Sequence, residues 1–195
     1  MSHHSETKIF TAPAKGFPFG ESLVEQYQNL CKTAGWVAHE RKDKLHYVSG
    51  STRSGNAIYT VKNILRAIPY PALESLSDTG HRYQFKGEFG QDINVTILDH
   101  SSQKQVIADL QQLFLDLKAA PEVVYDAEDF GCLSEGDVEA ALERDYVSSR
   151  PSTDRNVLGD EGEGADYLFV YLRSVLTVIQ NASAEDLFVV YELEL

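Results

Sequence analysis

The stretch SSQKQVIADLQQLFLDLKAAP, residues 101–121, leaves the fewest choices open. Val106, Leu110, Leu113, Phe114 and Leu117 recur at the three-to-four residue spacing of one helix face, and Pro121 ends the pattern. The spacing predicts a helix over 101–118 with an apolar stripe that must be buried against another element. The residues before it suggest what that element is. HRYQFKGEFGQDINVTILDH holds two strand-like runs, 81–86 and 92–98, joined around Gly87 and Gly90. After the helix, EVVYD reads as a short strand, giving the order strand, helix, strand over 92–126. If those two strands are neighbours, they should be parallel with a right-handed crossover.

The remaining segments mix both kinds of element. The first fifteen residues read as a flexible segment, and TAPAKGFPFG as irregular chain that Phe17 and Phe19 pin to the body. ESLVEQYQNLCKTAG places Leu23, Tyr27, Leu30 and Cys31 on one helix face, with Gly35 as the terminating residue. WVAHE and LHYVSG alternate on either side of a four-residue polar turn, as a hairpin does, and AIYTV follows as a strand. Ser134 and Asp137 stand at the spacing of a capping box, and Val138, Ala141, Leu142 and Tyr146 are expected to point inward from a helix over 135–147. ADYLFVYLRSVLTVIQN is a last helix, with Asn181 at its end and Ser183 as a cap beyond. DLFVVYELEL is a final strand with Leu187, Val189, Tyr191, Leu193 and Leu195 on one side. The expected class is α+β: a mainly antiparallel sheet, about four packed helices and one strand-helix-strand unit, forming a single domain over 16–195.

A chain of 195 residues is long enough for one full core. The apolar run near residue 173 is broken by Arg173 and is too short to cross a bilayer, so no membrane partner is expected. The start of the sequence has no secretory pattern, and Cys31 and Cys132 lie far apart without a CxxC partner. They read as reduced thiols in a cytoplasmic protein.

Charge is the strongest functional signal. Residues 1–87 hold 11 Lys+Arg and 7 Asp+Glu, whereas residues 88–195 hold 6 and 23, so the formal charge of -13 is gathered in the second half. The segment 122–166 alone carries 14 acids and 3 bases. A field of this sign repels nucleic-acid backbone and draws in basic surfaces. YDAEDFGCLSEGDVEAALERD, residues 125–145, has eight carboxylates and one arginine, yet also apolar residues at helical spacing, which marks it as folded rather than as a charged tail.

Conventional chemistry fits this segment poorly. As a calcium loop starting at Asp126, it puts Phe130 where an oxygen ligand belongs and Asp137 where a longer glutamate is wanted. GDEGEGAD, 159–166, gathers acids without fixed geometry. The letters DFG at 129–131 lack every other part of a kinase site. SGSTRSGN, 49–56, has the glycines and hydroxyls of a phosphate cradle but neither the lysine nor the following helix of a P-loop. Asp99 and His100 stand at a strand end where catalytic residues often sit, and equally where a helix entry needs an aspartate. His39, His46 and His81 lack a third ligand at metal spacing, and no cofactor or metal is expected. Trp36, Tyr47 and Tyr59 beside a modest basic patch are a weak nucleic-acid surface in an opposing overall field.

The expectation is therefore a non-enzymatic, acidic binding protein that docks on a basic protein partner, by the physics used by nuclease-immunity proteins, nucleic-acid mimics and phage-encoded inhibitors. Its charged contacts would be Asp126, Glu128, Asp129, Glu135, Asp137, Glu139 and Glu143, with Tyr125, Phe130 and Tyr146 as anchors. The competing expectations are a small enzyme or ligand-binding domain using the 49–56 loop or the 99–101 strand end, and a structural or assembly subunit such as a homo-oligomer, whose charge serves only solubility and whose final strand pairs across an oligomer edge.

Overall fold

A computed structural model describes residues 6–17, 20, 25, 47–50, 70, 80–86, 90, 92–120, 140, 142–143 and 167–194. These form β1 (Glu6–Pro13), β2 (Tyr47–Gly50), β3 (His81–Lys86), β4 (Asp92–Leu98), α1 (His100–Ala119), α2 (Tyr167–Ala184) and β5 (Leu187–Glu194). The strands make one five-stranded sheet in the order β2-β1-β5-β4-β3. Every pairing is antiparallel. The class is mixed α+β, as the alternation of apolar periods implied.

β3 and β4 are the pair expected at 81–86 and 92–98, in register from His81 opposite Ile97 to Lys86 opposite Asp92. Gly90 in the connection takes a positive φ of 84°, which a glycine accepts without steric cost. At the other end of β3, Gly80 has φ +121°, and a Cβ there would run into the Ile97 carbonyl oxygen. Only a glycine lets the chain enter β3 this close to β4.

α1 begins one residue before the expected helix and ends one residue after it. Its stripe of Val106, Leu110, Leu113, Phe114 and Leu117 is at most 2% exposed. α2 packs beside α1 and across the sheet, with Phe169, Leu172, Val175, Leu176, Val178, Ile179 and Ala182 buried. Arg173 is only partly buried, and loss of solvent lowers the pKa of its guanidinium. The Thr177 hydroxyl turns back to donate to the Arg173 carbonyl at 2.9 Å, so this polar group is satisfied inside the helix. α2 runs on through Asn181 and Ser183 to Ala184, three residues past the expected end, because Glu185 N–H still finds the Asn181 carbonyl at 3.0 Å. No helix among the described residues is long and apolar enough to cross a membrane.

Residues paired directly across antiparallel strands share a face of the sheet. Ile9, Thr11, Thr96, Leu98, Val189 and Tyr191 fall on one face, buried with the helices. Phe85, Ile93, Val95, Ile97 and Val190 fall on the other and form a second apolar cluster. Ala12, Phe17, Tyr83 and Phe188 pack against it. Phe17 meets Phe188 edge to face at 5.5 Å, which is the pinning role expected of it, and Tyr83 Oη accepts from Gly20 N–H at 3.2 Å. The sheet is therefore apolar on both faces at its centre.

Three expectations are corrected. The segment 1–15 is not loose throughout: residues 6–13 are β1, paired along their whole length with β5, a partner from the far end of the chain. The final strand offers no free edge for an oligomer, since β1 and β4 flank it on both sides. Leu142, expected inward, is 41% exposed. Of the helix over 21–34 only Glu25 is described, and it is helical; the first arm of the hairpin, the strands at 57–61 and 122–126 with the strand-helix-strand unit, and most of the helix at 135–147 lie outside the described residues.

Two sets of substitutions test this arrangement. Gly80→Ala should destabilise by about 2 kcal/mol or more, because strained backbone and a carbonyl collision add; the shift in urea midpoint measures it. Leu110→Ala and Ile97→Ala should each cost about 2–5 kcal/mol, the range for emptying a full core position. A cost under about 1 kcal/mol at Ile97 would mean that the second face is not a core.

Candidate functional site

The acidic segment is only touched by the described residues. Glu143 is exposed, in a turn just after the helical residues Ala140 and Leu142. Tyr125, Asp126, Glu128, Asp129, Phe130, Glu135, Asp137, Glu139 and Tyr146 lie outside the described residues, as do 51–56, 159–166, Cys31, Cys132, Trp36, His39, His46 and Tyr59. Ser49 and Gly50, at the start of the glycine-rich loop, belong to β2 and pair with Lys8 and Thr7. Tyr47 opens the same strand opposite Phe10.

The polar cluster that the described residues do assemble stands where β4 hands over to α1. Asp99 is the N-cap: its Oδ1 accepts the Ser102 backbone N–H at 2.8 Å, and Gln103 N–H bonds the Asp99 carbonyl at 2.8 Å. Asp99 Oδ2 lies 3.7 Å from His81 Nε2 on β3. The next residue, His100, turns towards the α2–β5 connection and places Nε2 2.8 Å from Asp186 Oδ1. Its ring packs against Phe188 at 5.3 Å. Asp186 holds a left-handed φ of 57°, a conformation that aspartate tolerates better than most residues, and this reverses the chain between α2 and β5 in two residues.

Beneath this corner lies Gln103, fully buried. Its Nε2 donates to the carbonyls of Leu98 (3.0 Å) and Leu187 (2.8 Å). One amide thus ties together the last residue of β4, the first of β5 and the first turn of α1. Two donated bonds fix the orientation of the amide, and its buried Oε1 has no partner among the described residues. At the far end of α1, the buried Tyr70 hydroxyl donates to Asp116 Oδ2, while Gln112 Nε2 donates to Asp116 Oδ1 at 2.7 Å. Burial, then the Asp116 carboxylate, push the Tyr70 hydroxyl well above the usual phenol range.

Asp99 and His100 were the strand-end pair with a catalytic alternative, and the geometry favours the helix-entry role for Asp99. Its carboxyl is held below the ordinary range, chiefly by the Ser102 N–H it accepts; burial opposes this, while the Ser102 hydroxyl and the charge of His81 add to it. A lowered pKa here reflects helix capping. Among the described residues, no group of three or more His, Cys, Asp or Glu is arranged to hold a metal ion.

Gln103 and Asp186 went unnoticed in the sequence. Gln103 had a signal: it sits three residues before Val106 and so extends the apolar stripe by one polar position. A polar side chain on a buried stripe has to find partners. Asp186 had none, because its histidine lies 86 residues earlier.

Comparisons with protein-family models, with curated proteins and with solved structures return no match.

Two measurements follow. Asp99→Ala should cost about 0.5–2 kcal/mol at neutral pH, the usual worth of an N-cap. Because the native pKa is lowered from 3.8, that contribution is complete above the unfolded value and is lost as pH falls through the native one. Stability curves of the two proteins should therefore converge in acid and stay apart at pH 7; parallel curves down to pH 2 would refute the capping role. Gln103→Leu should cost about 1–3 kcal/mol, since the buried Leu98 carbonyl and the half-buried Leu187 carbonyl lose their donor. Thermal unfolding reads this loss directly.

Proposed function

We propose that this is a non-enzymatic binding protein whose carboxylate-rich segment, residues 125–146, docks on a basic protein partner. The segregation of charge carries the reading. The described residues, which include five strands and two helices, contain seven Lys+Arg and eleven Asp+Glu, a formal -4 of the total -13. Most of the surplus negative charge therefore belongs to residues outside the described ones, and 122–166 holds 14 acids against 3 bases. Solubility alone needs no such concentration.

In this reading, Asp126, Glu128, Asp129, Glu135, Asp137, Glu139 and Glu143 steer the encounter. Tyr125, Phe130 and Tyr146 supply the buried anchors from which affinity comes. The partner is a nucleic-acid-binding or nuclease-like protein, because carboxylates spaced along a folded segment present charge where phosphates would. The binding surface belongs to a single domain completed by two further helices, at 21–34 and 135–147, in a cytoplasmic setting that keeps Cys31 and Cys132 reduced.

The test is affinity capture from the native host at low and high salt, followed by association kinetics with the captured partner. The association rate should fall about ten-fold or more as salt screens the field. Replacing Glu135, Asp137 and Glu139 by Lys should weaken binding comparably while leaving the fold intact by circular dichroism, with the midpoint lowered only by the loss of the Asp137 cap. Salt-independent association, or full binding by the triple variant, would overturn the reading.

A further inference from the structure

We draw no further inference here: the strongest candidate, the side-chain cluster of His81, Asp99, His100 and Asp186 at the N-terminus of α1, carries nothing beyond its capping and pairing contacts because no second observation points to a ligand, substrate or partner beside it.

Discussion

The sheet depends on β5 lying between β1 and β4. It is the one strand that joins the β2-β1 pair to the β4-β3 pair, and it bonds to both through antiparallel ladders. Neither two-stranded pair would hold on its own, since isolated hairpins are marginal in water. The sequence LFVVY suits the position because both of its faces are covered. Val189 and Tyr191 are buried on the helix side, and Val190 lies in the opposite cluster. Each such side chain contributes about 1.5–3 kcal/mol when taken out of water. A strand with one polar face would leave either the helices or the second cluster without a floor.

The helices are aligned to that strand by polar contacts at one corner. Apolar burial is non-directional and would tolerate α1 sliding along the sheet. Gln103 does not tolerate it, because its two donated bonds reach the end of β4 and the start of β5 together. Asp99 fixes where the helix begins, and His100 links that beginning to Asp186 in the turn before β5. The His100–Asp186 and His81–Asp99 contacts are open to solvent, so each adds little energy by itself. Their effect is to choose one register among several that the apolar stripe would accept. Tyr70 and Asp116 hold the far end of α1 in the same way.

The parts legible in the sequence were those with a local period. α1 was readable to within a residue at each end, because five apolar residues repeat along it and the pattern stops at Pro121. The β3–β4 pair was readable because alternation on both sides of a glycine-bearing turn specifies a hairpin. β1 was missed because its partner is β5, more than 170 residues later, and nothing within ETKIFTAP announces that ladder. The same distance hid the central place of β5: an apolar strand suits an edge and a centre equally until its neighbours are known. Leu142 was assigned inward from helical spacing, but spacing fixes only which residues share a face and not which face is covered. Of the candidate site, Asp99 and His100 were legible as a helix entry, whereas their partners His81 and Asp186 depend on tertiary placement.

The same separation between local and long-range information bears on function. A catalytic centre must bring groups from several elements to one point, so it depends on the long-range pairing that sequence reads worst. A charged docking segment needs no such convergence, because its field is the sum of its charges whatever the order of the strands behind it. Here the scaffold uses its own ionisable groups for construction. Asp99 caps a helix, Asp116 anchors Tyr70, and Lys86 pairs with Asp92 across β3 and β4. The acids at 125–145 have one arginine among them, so local neutralisation accounts for little of their charge. Scattering the fourteen acids of 122–166 over the second half would serve solubility equally well. Under the proposed docking role, their concentration in one segment would speed the encounter with a cationic surface.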